Sequence, residues 1–386
     1  MTAGTTPGAA GTASSDGNGD NTVNRPLRAL LVGAGGMGRG WLRTLLAYDE
    51  VELAGVADLD VARAKEALEQ AGAGDVAAGP TVEALADDVQ PDFVVDVTIP
   101  EAHHPVTMEA LRRGLPVLGE KPLAASLAES LELTAAAQAY DRLFMVSQSR
   151  RYDANLFAYR RQLRQLGRLG ILTAEFFKAP HFGGFRDAMD HPLVLDMAIH
   201  AFDSARFLLE ADPVAVYCEE YNPGWSWYAG DAAATAIFEF GGGLRYVYTG
   251  SWCSPGQETS WNAAWRASGE HGTALWDGDG PPTLEIVEGG ETAPEGDTSE
   301  VDPHPGIAGS LREFVAALRT GTTPMGTARD NVASLAMVYA AIESARDGRR
   351  VLVADVLEEA YTQAKARAQG PVLDVLSGWT SLTPPG

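Results

Sequence analysis

The stretch "LRALLVGAGGMGRGWLRTLL" (residues 27–46) decides the fold of the first half of the chain. An apolar run typical of a buried strand is followed by a glycine cluster and then by a helical pattern. Gly33, Gly35 and Gly38 spell G-x-G-x-x-G. In that pattern the glycines permit a tight turn, close approach of a pyrophosphate and close helix–strand packing. The stretch therefore predicts a strand–turn–helix unit that binds a dinucleotide, although a glycine turn without a ligand gives the same letters.

The remainder of the first half repeats the alternation of strand and helix. Four further apolar strands, each separated from the next by a helical segment, are predicted at residues 51–58, 91–100, 115–123 and 143–152. Strands that are apolar throughout, with helices between them, indicate a parallel sheet covered on both faces. Right-handed crossovers then make this half a doubly wound Rossmann domain.

The pattern changes after about residue 151. Strands separated by short turns follow one another, with glycine turns at 241–243 and 269–272, and they predict an open, mainly antiparallel sheet. One amphipathic helix is predicted over 192–210, two more near the end of the chain, and a loop over 288–306. We divide the chain into a disordered tail (1–25), a Rossmann domain (26–150), a C-terminal α/β domain for substrate and oligomerisation (151–355), and a C-terminal helix and tail (356–386).

Composition excludes several classes of partner. The net charge of −23 opposes binding to nucleic acid or to anionic membranes, and it favours a neutral substrate over a phosphorylated one. No apolar run reaches the roughly 18–20 residues that span a bilayer, and the N-terminus has no signal-peptide features, so we expect a cytoplasmic protein. Cys218 and Cys253 form no motif and are expected to be free thiols.

Asp58 ends the second predicted strand, 20 residues after Gly38. An acidic residue there accepts hydrogen bonds from ribose hydroxyls and repels a 2′-phosphate, so we expect NAD(H) as the cofactor. Arg39 indicates the alternative cofactor, NADP(H), because its guanidinium could reach the 2′-phosphate.

Two further patterns bear on chemistry. Lys121, one of only four lysines, follows the fourth strand, at the sheet edge where such folds bind ligands. Asp196, His200 and Asp203 are spaced to share one face of a helix. A hydroxyl oxidation needs a proton acceptor and a cation that stabilises the alkoxide, which His200 and Lys121 could supply. The alternatives are an ordinary surface lysine, a solvated helix face with a local Asp–His pair, or a zinc site that lacks a convincing third ligand.

The chain resembles the glucose–fructose oxidoreductase / inositol dehydrogenase / MocA (Gfo/Idh/MocA) family. The resemblance runs from about residue 27 to 355. It rests on the glycine fingerprint and on four segments: "GEKP" (119–122), "DMAIH" (196–200), "IPEAHHPVTMEALRRG" (99–114) and "AIESARDGRRV" (341–351). It implies a Rossmann domain joined to an open-sheet domain, and NAD-dependent oxidation or reduction of sugars, cyclitols and related polyols.

The resemblance also implies residue roles. Lys121 hydrogen-bonds the reacting oxygen and helps to fix the nicotinamide. Asp196 positions the substrate and tunes the acid/base behaviour of His200, which is the general acid/base. Contacts with NAD are expected from Gly33, Gly35, Gly36, Met37, Gly38, Asp58, Thr98, Pro100, His104, Glu120 and Lys121. Ile99 and Ser149 depart from the family pattern, where Thr and Asn are frequent, and this affects only details of the nicotinamide contact.

Substrate contacts are predicted at Arg151, His181 and Arg186. Tryptophans 225, 227, 252, 261 and 265 could cover a sugar ring, or they could lie in the core or at an interface. No metal is expected. The apolar strands of residues 214–277 predict a homodimer or homotetramer. A hydro-lyase or glycosidase that oxidises its substrate only transiently, and a non-catalytic NAD-binding regulator, remain as alternative functions.

Overall fold

The computed structural model describes residues 25–287 and 304–382. The tail predicted over 1–25 lies outside the described residues except for Arg25, and so does most of the loop predicted over 288–306. Two sheets organise the described residues, as predicted.

The first sheet is parallel throughout and has the order β3-β2-β1-β4-β5-β6. Its strands are β1 (Leu27–Val32), β2 (Val51–Ala57), β3 (Ala77–Gly79), β4 (Phe93–Asp96), β5 (Val117–Gly119) and β6 (Phe144–Val146). Its helices are α1 (Gly36–Leu46), α2 (Val61–Gln70), α3 (Val82–Val89), α4 (Pro100–Arg112) and α5 (Leu127–Ala139). The predicted doubly wound fold is confirmed. The strand order reverses between β1 and β4, and folds of this kind bind ligands at that point.

The second sheet is mixed and has the order β13-β12-β11-β7-β10-β9-β8-β14. Only β7 and β10 pair in parallel; every other pair is antiparallel. Its strands are β7 (Leu169–Phe177), β8 (Pro213–Tyr221), β9 (Ala233–Phe240), β10 (Arg245–Ser251), β11 (Ala264–Gly269), β12 (Gly272–Trp276), β13 (Thr283–Ile286) and β14 (Val351–Leu352). The predicted glycine turns join β9 to β10 and β11 to β12.

Six more α-helices complete the described part of the chain. They are α6 (Ala154–Leu163), α7 (Ile199–Leu209), α8 (Ile307–Thr320), α9 (Ala328–Asp347), α10 (Val353–Arg367) and α11 (Gly370–Gly378). The helix predicted over 192–210 is in fact two pieces, because a π-helical segment, Pro192–Ala198, precedes α7. Inserted π turns are frequent at functional sites.

Late segments of the chain pack against the first sheet. Phe314 of α8 contacts Phe93 of β4, with ring centroids 5.3 Å apart, and α8 shares the apolar core of that face. Helix α5 is buried and packs against α4, α9, α10 and α11. The sequence division at residue 150 therefore separates segments that share a core. Among the described helices, none is long and apolar enough to cross a membrane.

Candidate active site

The turn between β1 and α1 has the shape that a pyrophosphate requires. Gly33 has φ +101°, and a Cβ there would lie 2.6 Å from the Val97 carbonyl oxygen. A Cβ on Gly38 would lie 2.0 Å from the Gly33 oxygen, so both positions exclude larger residues. A Cβ on Gly35 would meet nothing within 4 Å, and no side chain caps α1. The first amides of α1 are therefore free to bind an anion in open space, which fits a dinucleotide.

Asp58 lies beside this turn. Its carboxylate accepts hydrogen bonds from the backbone N–H of Ala34 and of Asp60, both at 2.8 Å. Arg39 is directed away, because its guanidinium donates to Gln70 Oε1 at 3.1 Å on α2. Arg63 is the nearer cation, 3.9 Å from Asp58. The acidic group thus stands at the glycine turn, as the predicted ribose contact requires, and Gly36 and the exposed Met37 open α1 beside it.

Lys121 and Asp196 meet at the carboxyl edge of the first sheet. Lys121 follows β5, and its Nζ donates to Asp196 Oδ1 at 2.7 Å and to the Asp196 carbonyl oxygen at 2.8 Å. The other carboxylate oxygen of Asp196 accepts from Arg186 Nε at 2.6 Å. Burial alone would raise the pKa of the Asp196 carboxyl, but the charges of Lys121 and Arg186 hold that pKa below its ordinary value. Asp196 is therefore a carboxylate held by two cations.

His200 lies in the first turn of α7 and is half-buried. Its Nδ1 is buried and has no hydrogen-bond partner among the described residues. Burial first, then the positive charges of Arg150 and Lys121, hold the pKa of His200 well below its usual range. The imidazole is therefore neutral at physiological pH, the state in which it can accept a proton.

The three residues of the predicted polar stripe, Asp196, His200 and Asp203, have different surroundings. Both oxygens of Asp196 are taken by Lys121 and Arg186, and no hydrogen bond joins Asp196 to His200. Asp203 is only 2% exposed and is bound through both oxygens by Arg151. The alternative of a solvated face is therefore wrong, because the π segment and α7 direct these groups into the protein.

The arginine predicted as a substrate contact is a structural residue. Arg151 is 4% exposed, and its guanidinium binds Asp203, Asp330 and the Met325 carbonyl oxygen. These partners leave it no free face, which contradicts the predicted substrate contact. Its neighbour Arg150 acts on His200 instead, and burial lowers the pKa of Arg150 to about 10. Two adjacent arginines look alike in sequence, and only the direction of the turn at Ser149–Tyr152 distinguishes them.

The two adjacent histidines of α4 also differ from the prediction in the direction of their side chains. His104 turns towards α5, where its Nε2 lies 3.1 Å from Glu132. His103 is 2% exposed and lies between two carbonyl oxygens, Pro122 at 2.7 Å from Nδ1 and Thr98 at 3.0 Å from Nε2. His103, which the sequence analysis did not single out, therefore ties the segment before α4 to the segment that carries Lys121.

The other predicted cofactor residues lie along the same edge. The Thr98 hydroxyl donates to Asp96 Oδ1 at 2.7 Å, and Pro100, two residues later, opens α4. Glu120 is buried and accepts from Trp41 Nε1 at 2.7 Å; burial raises its pKa above the ordinary carboxyl value. After β6, the buried Gln148 Nε2 has no partner among the described atoms, as expected of a group awaiting a ligand.

Aromatic side chains surround the loop before the π segment. His181 stacks on Trp227 with ring centroids 3.7 Å apart, and Phe182 stacks on Trp261 at 6.2 Å. Trp252 and Trp265 are buried, whereas Trp225 is 67% exposed. The tryptophans are thus divided between the core and this loop. No group of three or more His, Cys, Asp or Glu side chains that could hold a metal occurs in the described ranges.

Comparison with known proteins places this geometry in context. Residues 27–148 match the model of an oxidoreductase family with an NAD-binding Rossmann fold (GFO_IDH_MocA), and residues 164–275 match a GFO/IDH/MocA C-terminal domain. Together these ranges cover more than half of the chain.

Individual relatives agree with that match. The D-apiose dehydrogenase of Paraburkholderia graminis is 28% identical over 366 residues, covering 88% of this chain and 92% of the relative. Inositol 2-dehydrogenase 4 of Saccharopolyspora erythraea is 34% identical over 197 residues, 50% of this chain and 57% of the relative. An oxidoreductase from Agrobacterium radiobacter, solved with NAD+, L-tartaric acid and magnesium, has a TM-score of 0.74 at 21% identity, covering 85% of this chain and 99% of that one.

Proposed function

Because the chain belongs to the GFO/IDH/MocA oxidoreductase family and has its NAD-binding Rossmann domain, we propose that it transfers a hydride between NAD and a hydroxyl carbon of a sugar, cyclitol or related polyol. The observation that carries the proposal is the contact of Lys121 Nζ with Asp196, at 2.7 Å, beside a neutral His200. The family resemblance and the NAD cofactor predicted from sequence are confirmed by the family match.

Each of the three side chains has a role that its surroundings support. NAD+, when bound, would supply the hydride acceptor for the carbon that bears the hydroxyl. His200 accepts the hydroxyl proton, which a neutral imidazole can do. The ammonium of Lys121 stabilises the negative charge that develops on the oxygen, and Asp196 holds that ammonium in place.

The glycine turn, Asp58 and the edge formed by Thr98, Pro100, Glu120 and Gln148 are the groups that would hold the cofactor. Its phosphates would meet the free amides of α1, and its ribose would meet Asp58. His104 no longer belongs to this set, because it faces Glu132 on α5.

One experiment tests the proposal. The full chain is incubated with NAD+ and a panel of sugars, cyclitols and other polyols, while absorbance at 340 nm and substrate loss are followed separately. Equal formation of NADH and oxidised product supports a dehydrogenase. Loss of substrate without net NADH would instead favour the hydro-lyase or glycosidase alternative, and tight NAD binding without turnover would favour a regulator.

A further inference from the structure

The candidate active site differs in charge from the rest of the chain. The whole sequence carries a net charge of −23. At the reaction centre, however, Lys121, Arg150 and Arg186 are all cationic, and among the described residues Asp196 is the only carboxylate that forms an ion pair with any of their side chains. The Glu120 carboxylate, whose pKa is raised by burial, accepts a hydrogen bond only from the backbone N–H of Lys121, at 3.2 Å. The average charge of the chain is therefore a poor guide to the charge of its substrate.

Lys121 and Arg186 share a single counter-ion. Both contact Asp196, one on each oxygen, so one positive charge of this group is not neutralised. Arg186 uses only its Nε in that contact, and its side chain remains 30% exposed. The two terminal NH2 groups of Arg186 have no described hydrogen-bond partner, and such a planar pair of donors matches the two oxygens of a carboxylate.

Arg150 lacks a counter-ion altogether in the described part of the chain. Its one hydrogen bond runs from NH1 to the Asn262 amide oxygen at 3.2 Å, and burial lowers its pKa to about 10. Withdrawing a charge from water without an anionic partner is costly, so proteins normally pair such charges. The positive charge of Arg150 also acts on His200, which places this unpaired cation beside the proton acceptor.

Other charged groups near the loop do not change this balance. Lys178 is paired with Glu258 at 2.8 Å. Asp187 follows Arg186 directly, but it forms no ion pair among the described residues. Among the described residues, neither Asp187 nor Glu258 forms an ion pair with Arg186 or Arg150.

We propose that the substrate is a sugar or polyol acid whose carboxylate is bound by Arg186 and Arg150 while its reacting hydroxyl faces Lys121 and His200. This inference rests on the proposed function and narrows its substrate class. The carboxylate supplies the counter-ion that the described residues do not, and it fixes which hydroxyl faces the nicotinamide.

Matched substrate pairs test the inference directly. The full-length protein with bound NADH is titrated calorimetrically with D-gluconate against D-glucitol, with D-glucuronate against D-glucose, and with D-glucose 6-phosphate. Turnover with NAD+ is measured on the same compounds. Charge-assisted hydrogen bonds of this kind predict that the acids bind about 10- to 100-fold more tightly than their neutral partners.

Variants locate the carboxylate. Arg186→Gln and Arg150→Gln should each weaken binding of the acids by about 10-fold or more, a larger loss than either variant shows for the neutral polyols. Arg168→Gln is the matched control, because Arg168 is 75% exposed and pairs with Glu270 at 2.7 Å in a hairpin. Its acid binding should be normal. Melting temperatures separate a lost contact from a lost fold.

Each outcome bears on one of the two proposals. Equal binding of acids and neutral polyols, preference for the phosphate, or no binding of any acid would overturn the carboxylate inference. Oxidation of neutral polyols alone would overturn it while the proposed oxidoreductase function stood. Binding of acids through Arg186 and Arg150 with no redox turnover would support the carboxylate site and count against the proposed function.

Discussion

His200 shows how neighbouring charges set the chemistry of one residue. An ordinary surface histidine is partly protonated near neutral pH, and a protonated imidazole cannot accept a proton. Here burial and the charges of Arg150 and Lys121 lower its pKa, so that the basic form is the one present. Asp196 contributes through Lys121 rather than by a hydrogen bond to the imidazole.

Replacement of His200 tests its role as proton acceptor. His200→Ala should slow turnover by about 10²–10⁴-fold, the usual contribution of a general base, while NADH affinity is retained. Lys121→Ala should lose a comparable factor, because the developing alkoxide is then unstabilised, with a modest fall in NADH affinity. Steady-state kinetics beside NADH titrations measure both effects.

The control for this comparison is His271→Ala, since His271 lies in the turn between β11 and β12, remote from the β5 edge. The His271→Ala variant should have a normal turnover rate. Near-normal turnover in His200→Ala would show that the proton leaves by another route.

The pH dependence of turnover reports the same pKa. Only the neutral imidazole accepts the proton, so activity falls on acidification through the pKa of His200. Because burial and two cations lower that pKa, the acid limb should lie below pH 6.5, and activity should be flat from there to neutrality. A histidine without these neighbours would place the limb near pH 6.5. A profile of kcat/KM between pH 4 and 8 measures it, and a midpoint at or above 6.5 would contradict the assigned environment.

Asp58 sets the expected choice between the two nicotinamide cofactors. Its carboxylate stands at the glycine turn, so the protein should bind NADH much more tightly than NADPH. Asp58→Asn removes the negative charge and should therefore reduce this difference in affinity. Fluorescence titration of both cofactors with both proteins measures this. Equal affinities in the unmodified protein would indicate that Arg63, 3.9 Å from Asp58, accepts the 2′-phosphate.

At the level of elements, the first turn of α4 is tied to the segment after β5. His103 links them through the Thr98 and Pro122 carbonyl oxygens. His103→Ala removes a ring that lies within hydrogen-bond distance of both carbonyl oxygens, so it should cost about 1–3 kcal/mol of unfolding free energy and displace Lys121 enough to lower turnover. His104→Ala, on the adjacent and more exposed residue, is the control and should cost less. Denaturant unfolding of both variants measures these costs. Equal losses of unfolding free energy would be evidence against the link that His103 makes between α4 and the segment after β5.

The sequence predicted whole elements better than the direction of single side chains. Apolar runs and glycine turns identified the parallel sheet and the hairpins, because burial and backbone freedom are properties of a segment. Strand β3, "AAG", was missed since three small residues carry no strand pattern. Arg150 against Arg151, and His103 against His104, could not be distinguished, because local turns decide which of two equal neighbours faces the site.

The π segment before α7 was missed for a similar reason. Residues 192–210 have the apolar spacing of one continuous α-helix, and that spacing does not reveal the wider turn at Pro192–Ala198 that carries Asp196. The sequence pattern therefore identified Lys121, Asp196 and His200 as candidate site residues, whereas their surroundings, which include Arg186 and Arg150, depend on tertiary packing.

On the scale of the whole molecule, the second sheet has one face without a covering layer among the described residues. Helices α7 and α9 pack on the inner face. On the outer face Tyr217, Ile237 and Val247 lie side by side through the registers of β8, β9 and β10. Tyr217 and Ile237 are each 41% exposed. A row of apolar side chains on a broad sheet is typical of a protein interface.

We therefore expect a homodimer or homotetramer joined through the outer face of this sheet, within residues 214–277. Light scattering at micromolar concentration should give a multiple of the 40.8 kDa chain mass. Ile237→Lys places a charge in the middle of the row and should shift the mass downwards, because an unpaired charge is costly to bury at an interface. Leu46→Lys, on an equally exposed apolar residue at the end of α1, is the control and should leave the mass unchanged. A monomeric mass for the unmodified protein would contradict the prediction, and an unchanged mass for Ile237→Lys would place the interface on another surface.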